Sequence, residues 1–249
     1  MNELEYKNFY DKVGKINGWD FSKLQVTVEG IKWDFYEEVT KRCKSSDILL
    51  DVGTGGGENV LKIASSLLLL IGIDISSGMM ETAQTNLRKA NISNVRFHQM
   101  PSDNLQFPDG FFDVISSCHA PFYATEVAKV LRTGGTFLTQ QVSEADKLNL
   151  KRAFGRGQAL EEVDGTLRGR YIRELKEAGF TDVQSFDYNA DDFYQTPEDL
   201  IFLLKHTPII PYFGQEEKDF NILNDFIENN RTKKGISTNS KRFLIVAKK

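Results

Sequence analysis

Between residues 49 and 58 an apolar run passes through an acid and breaks into glycines: Leu49-Leu50-Asp51-Val52-Gly53-Thr54-Gly55-Gly56-Gly57-Glu58. The pattern reads as a buried strand of a parallel sheet turning sharply into a helix that begins near Glu58, because a strand this apolar needs cover on both faces. Glycines at such a turn let the backbone approach a ligand, since a Cβ would fill the space a ligand needs and would disfavour positive φ. A tight turn with no ligand would use the same residues, so the loop alone identifies no site.

A second element narrows the choice. About twenty residues on, Ile71-Gly72-Ile73-Asp74-Ile75-Ser76 puts an acid at the tip of the next strand, where nucleoside-binding folds hold ribose hydroxyls. The competing reading is that Asp74 caps a helix starting near Ser76 or Ser77. Short apolar runs continue to alternate with helical patterns, which predicts repeated βα units with strands at Ile48–Val52, Leu69–Asp74, Val95–His98, Phe112–Ser116 and Thr136–Gln140 and helices after each of the first four. A helix through Leu167–Ala178 ends at Gly179, Phe180–Tyr188 is extended, and the last strand is Arg242–Ala247.

The expected fold is therefore α/β: a Rossmann-like, doubly wound, mostly parallel seven-stranded sheet with an N-terminal helical segment and an insertion before the last strand. It divides as one domain, residues 1–249, into an aromatic-rich helical cap (1–45), a core (46–188), an insertion (189–239) and the last strand (240–249). Thr196-Pro197-Glu198 opens a helix in the insertion with an N-cap, a proline at the first helical position and an early acid, so the insertion should be a structured cap.

The type of nucleoside follows from charge. A dinucleotide site prefers G-x-G-x-x-G, where the helix N-terminus cradles a pyrophosphate, but here the glycines run into Glu58, whose carboxylate would repel an anion. Asp51 adds a second carboxylate, and the pair suits a ligand end bearing an ammonium and a sulfonium. No Gly-Lys-Ser/Thr follows, which removes a P-loop. A net charge of −4 gives no general attraction for nucleic acid. Cys43 and Cys118 stand apart from each other and from His98, His119 and His206, so neither a zinc site nor any other metal site is expected. The N-terminus lacks a signal-peptide pattern and the longest apolar run, Leu67 to Ile71, is far too short for a membrane span, which predicts a cytoplasmic protein without membrane partners.

With these motifs in view the chain resembles the class I S-adenosylmethionine-dependent methyltransferase superfamily, in its ubiquinone/menaquinone-biosynthesis-like small-molecule branch. The likeness runs from about Tyr6 to Val142 and includes Leu105-Gln106-Phe107-Pro108-Asp109-Gly110-Phe111-Phe112-Asp113-Val114-Ile115, leading into the fourth strand, and Glu126-Val127-Ala128-Lys129-Val130-Leu131-Arg132-Thr133-Gly134-Gly135, leading into the fifth. It implies S-adenosyl-L-methionine as cofactor, bound by Asp51, Gly53, Thr54, Gly55, Gly57, Asp74, Ile75, Met79, Ser102, Asp103 and Ser117. The family's Asp-Ala pair for the adenine amino group aligns with Pro101-Ser102, a departure that leaves this contact to Ser102, Asp103 or backbone.

Cys118-His119-Ala120-Pro121 follows the fourth strand, where acceptor and sulfonium meet in the superfamily, and His119 is the histidine placed to act as a general base or to bind the acceptor. The Pro-Cys of cytosine-5 methylation and the Asn-Pro-Pro-Tyr of base-amino methylation are both missing. Tyr6, Tyr10, His119, His206 and Tyr212 are the expected substrate contacts, the last two on an insertion that would roof the acceptor pocket. The implied reaction is in-line methyl transfer to a small molecule. Two rivals remain, a non-catalytic S-adenosylmethionine-binding protein and an NAD-linked oxidoreductase.

Overall fold

The computed structural model describes residues 1–249, save the side chain of Glu3. In chain order the first half comprises α1 (Glu3–Asn17), β1 (Val26–Glu29), α2 (Phe35–Thr40), β2 (Ile48–Val52), α3 (Val60–Ile63), β3 (Leu69–Asp74), α4 (Ser77–Ala90), β4 (Val95–Gln99) and β5 (Phe112–Cys118). The second half comprises α5 (Ala124–Val130), β6 (Leu131–Val142), α6 (Leu148–Phe154), α7 (Thr166–Glu177), β7 (Asp182–Tyr194), α8 (Pro197–His206), α9 (Lys218–Asn230), β8 (Arg231–Thr232) and β9 (Gly235–Lys248). The strands form one nine-stranded sheet in the order β1-β7-β9-β6-β5-β2-β3-β4, with β8 paired to β9. From β4 to β6 the pairing is parallel, and from β6 through β9 and β7 to β1 it is antiparallel.

The parallel block explains its own sequence. Leu49, Leu50, Leu70 and Ile115 are wholly buried because helices cover both faces of the sheet. One layer of the core packs Leu50, Ile71, Ile115 and Phe137 against α5 and α7, and the other packs Leu49, Leu70, Val114 and Leu138 against α2, α3 and α4. The strand order reverses between β2 and β5, so the carboxyl ends of β2, β3, β5 and β6 surround a crevice of the kind that binds ligands in open α/β sheets.

The seven expected strands are all present, and β1 and β8 are additional. Four and two residues long, they are too short to show a period, and they exist because β7 and β9 outrun the rest of the sheet and leave edges to pair. That hairpin runs from Asp182↔Lys248 to Tyr194↔Ile236, which shortens the insertion from the expected 189–239 to residues 195–234. No helix follows β4: Pro101, Pro108 and Gly110 break the connection, which is anchored instead by wholly buried Leu105. The helix after the glycine turn is a single turn, α3, whose end is fixed where the Asn94 amide donates to the carbonyls of Ala64 (2.8 Å) and Leu67 (2.9 Å).

The insertion begins as its sequence suggests. Thr196 caps α8, its side chain accepting from Asp199 N, while the Asp199 carboxylate takes up Thr196 N, with Pro197 at the first helical position. Leu200, Leu203, Leu204, Leu223, Phe226 and Ile227 then close on Tyr194 and Ile236 as a separate core. Among the described residues, no helix is long and apolar enough to cross a membrane, and no group of three or more His, Cys, Asp or Glu could hold a metal ion.

Candidate active site

The turn after β2 is tied to β3, with Gly53 N and Thr54 N both donating to Ile73 O at 2.9 Å. Gly53 has φ +72°, and a Cβ there would collide with the Ala120 methyl on the loop after β5. Gly57 serves the core instead: a Cβ on it would lie 2.6 Å from the Phe97 ring. Asp74 accepts from Gly55 N through Oδ2 (3.0 Å) and from Ser76 N through Oδ1 (2.9 Å). It therefore braces the turn and the start of α4, although the cap itself is Ser76, whose hydroxyl accepts from Met79 N. A carboxylate has about four lone-pair sites, so the brace leaves two for a ligand.

Asp51 lies wholly buried beneath the turn. Its Oδ1 accepts from Ser116 Oγ at 2.5 Å, whereas its Oδ2, like the Thr54 hydroxyl, has no partner in the protein. Burial pushes the Asp51 carboxyl up to about 7, and the charge of Asp74 adds to the rise. Leaving such an atom unpaired costs about 1–3 kcal/mol, which a cationic or hydrogen-bonding ligand nearby would offset.

A cavity of about 1270 Å³ opens over these strand ends. Over β2 and β3 its wall includes Gly53, Thr54, Gly55, Asp74, Ile75, Met79, Ser102 and Asp103, all of them residues that the resemblance assigns to the cofactor. Asp51, Gly57 and Ser117 were expected there too but do not reach it: Asp51 is enclosed behind the turn, Gly57 packs on Phe97, and the buried Ser117 hydroxyl donates to Ala120 O at 3.0 Å. Met80 turns into the core.

The N-terminal segment closes this end. A capping box between Asn2 and Glu5 starts α1, and Gly18 (φ +61°) ends it. Helix α1 lies against α4 so closely that a Cβ on Gly14 would come within 2.5 Å of Met79 N, and Thr82 Oγ1 donates to Gly14 O at 2.7 Å. Asp11 accepts from Ser76 Oγ at 2.8 Å. Beyond the helix, Trp19 N donates to Glu58 Oε1 (3.0 Å), which sets the indole beside Gly55, and Tyr10 packs edge-on against Trp19 with ring centroids 5.8 Å apart. Tyr6 and Tyr10 both line the cavity.

Over β5 and β6 the wall is of another kind. His119, in the left-handed region (φ +56°), is held there by its N–H on Gln140 O at 2.8 Å. The Trp33 indole donates to Gln140 Oε1 at 2.7 Å, and Gln140 Nε2 lies 3.1 Å from His119 Nε2. Trp33 also meets Tyr188 edge-on, with centroids 4.7 Å apart, and Tyr36 completes the group. Burial and the charge of Arg242 push the His119 imidazole down to about 3, against the opposing pull of Asp146. Burial and Asp51 push the Cys118 thiol well up, so it is inert.

His206 and Tyr212 correct the expectation placed on the insertion, for neither lines the cavity. His206 stacks on Phe202 (4.1 Å between centroids) with Nδ1 2.7 Å from Phe202 O, and Tyr212 is half exposed beside Glu5. The insertion turns inward on its own core, and the far wall is supplied instead by Gln158, Leu167, Arg170 and Tyr171 from the α6–α7 region. The sequence marks the N-terminal cap only as aromatic-rich, which places none of its Trp19, Trp33 and Tyr36. Gln140 had a usable signal, an amide pair with Gln141 at the carboxyl end of the fifth expected strand, and Tyr188 had none.

Residues 49–135 match a family described as a methyltransferase domain. The chain is 33% identical over 106 residues to the uncharacterized methyltransferase YcgJ of Bacillus subtilis, covering 40% of this chain and 42% of that one. It is 34% identical over 101 residues to the 27-O-demethylrifamycin SV methyltransferase of Amycolatopsis mediterranei, covering 37% of each. The chain thus spans less than half the length of these relatives. The crystal structure of YcgJ superposes with a TM-score of 0.59 at 21% identity over 86% of this chain and 97% of that one. A [4+2]-cyclase, SpnF, superposes with a TM-score of 0.63 at 15% identity over 100% and 97%, so the fold by itself does not decide the reaction. Sequence match and fold agree over this part of the chain: residues 49–135 match a methyltransferase domain, set in the fold of the structures it superposes on.

Proposed function

We propose that this chain transfers a methyl group from S-adenosylmethionine to a small-molecule acceptor. One observation carries the reading: a single cavity joins the Gly53–Gly55 turn and Asp74, over β2 and β3, to an aromatic pocket over β5 and β6. Bound S-adenosylmethionine supplies a methyl on a sulfonium, already a good leaving group.

What remains for the protein is to bind, align and exclude water. Asp74, with Gly55 behind it, has lone pairs to spare for ribose hydroxyls. Ile75 and Met79 offer apolar surface for adenine, and Ser102 and Asp103 offer polar groups on the same wall for its amino group. The buried Asp51 carboxyl, whose ionisation a nearby cation would favour, and Thr54 on the cavity wall suit an ammonium end. The one-turn α3 and the nearby Glu58 carboxylate suit no pyrophosphate. Helix α1, Tyr10 and Trp19 keep water out. A net charge of −4 argues for a small molecule over nucleic acid, and two free cysteines fit the reducing cytoplasm.

The test is melting of the chain with S-adenosylhomocysteine or NAD, followed by transfer of labelled methyl across an acceptor panel. S-adenosylhomocysteine should raise Tm, and Asp74→Ala should weaken its binding at least about tenfold. Stabilisation by NAD with indifference to S-adenosylhomocysteine would overturn the proposal.

A further inference from the structure

The hydrogen bonds around His119 fix its tautomer. An indole nitrogen only donates, so the Gln140 atom 2.7 Å from Trp33 Nε1 is the amide oxygen, and Gln140 Nε2 carries both amide hydrogens. Those hydrogens face Cys118 Sγ at 3.7 Å and His119 Nε2 at 3.1 Å. Two donors cannot share a bond, so His119 Nε2 is the acceptor and a neutral ring must carry its proton on Nδ1. The lone pair a general base would use is already engaged. Nδ1 has no protein partner and is not enclosed, and the residue lines the cavity. The charged groups facing the ring, Arg242 from β9 and Asp146 before α6, are paired with each other.

The rest of this end is also neutral and rich in donors. Tyr36 and Tyr188 line it, and burial holds both phenols in the protonated form. The cationic side chains on the cavity wall are committed or exposed: Lys7 pairs with Asp11, Lys62 donates to Asn59, and Arg170 lies exposed over the Tyr171 ring. A carboxylate or phosphate would find no buried counter-ion here. A delocalised anion would find aromatic walls, the free His119 nitrogen and two protonated tyrosines.

Building on the proposed methyl transfer, we infer that His119 meets the acceptor as a hydrogen-bond donor through Nδ1, and that the acceptor is a planar, conjugated hydroxy-carbonyl compound acidic enough to arrive ionised. Trp33 and Gln140 are positioning residues that hold the tautomer. The acceptor's proton goes to solvent before binding, its electron pair forms the bond to the methyl carbon, and the carbon–sulfur pair stays on sulfur as a neutral thioether.

The test has a readout that needs no turnover: nitrogen-15 NMR of the histidines, free and with S-adenosylhomocysteine. His119 should be neutral with its proton on Nδ1, and Gln140→Glu, which replaces the donor to Nε2 by an acceptor, should move the proton to Nε2 or give the imidazolium. A wild-type Nε2–H tautomer overturns the donor role. In turnover, His119→Asn keeps a donor near the place of Nδ1 and tolerates positive φ, so it should retain activity within about tenfold, where His119→Ala loses about a hundredfold. Rates should be flat with pH above the acceptor's own ionisation, and simple phenols, ionising near 10, should react at least about a hundredfold more slowly. Methylation of amines alone, or of no hydroxy-carbonyl compound in the panel, overturns the acceptor class even if S-adenosylhomocysteine binds. Failure of S-adenosylhomocysteine to bind instead removes the cofactor reading, and leaves the tautomer still measurable in the free protein.

Discussion

The two ends of the cavity are built of opposite materials. Over β2 and β3 stand Asp74 and Glu58, with Asp51 beneath them, whereas over β5 and β6 stand Trp33, Tyr36, His119 and Tyr188, with no free charge among them. The first end can select a cation and pay in burial for the charges that do so. The second can only offer hydrogen bonds and flat surface. One end is therefore matched to a ligand of fixed charge, and the other leaves the reactivity of the acceptor to the acceptor itself.

The comparison breaks most completely at Gly53. Alanine there meets the Ala120 methyl and must adopt φ near +72°, so Gly53→Ala should weaken S-adenosylhomocysteine binding by at least about a hundredfold while the circular dichroism spectrum stays native. Adding Ala120→Gly, which removes the opposing methyl, should recover part of the loss.

A smaller effect is expected at Asp51. Its carboxyl titrates at about 7 in the folded chain against an ordinary value of 3.8, so between those pH values the folded state binds more protons than the unfolded state. Stability of the free protein should fall as pH rises through that window. Asp51→Asn should flatten the dependence and raise Tm at pH 8, yet weaken the cofactor about tenfold. A Tm profile unchanged by the substitution would remove Asp51 from the charged end. Least should happen at His206→Ala and Tyr212→Phe, which ought to leave acceptor KM within about twofold; a tenfold rise would bring the insertion back to the site.

The charged end was legible because its residues are local in sequence. A strand, a glycine turn and an acid at the next strand tip announce themselves within about twenty-five residues, as periodicity and turn chemistry require. Even so, Asp51, Gly57 and Ser117 lie off the cavity wall, since a step of one residue along the chain decides between cavity and core. The neutral end comes from four distant places, Trp33, His119, Gln140 and Tyr188, brought together by the sheet order and by a β7–β9 hairpin longer than its apolar pattern suggests. That same extra length carried the insertion's Phe213 and Phe226 onto a core of their own, while His206 stacks on Phe202. The N-terminal docking was hidden for a different reason: it depends on Gly14 of α1 meeting α4 where only a missing Cβ permits contact.

Titration calorimetry of S-adenosylmethionine at pH 6.5, run in two buffers of different ionisation enthalpy, reaches the central claim most directly. Because the free protein holds Asp51 largely protonated at that pH, a cation bound above it should expel a substantial fraction of one proton, and Asp51→Asn should abolish the release. Binding with no proton release, or with proton uptake, would contradict a cavity whose first end is charged to meet a cation.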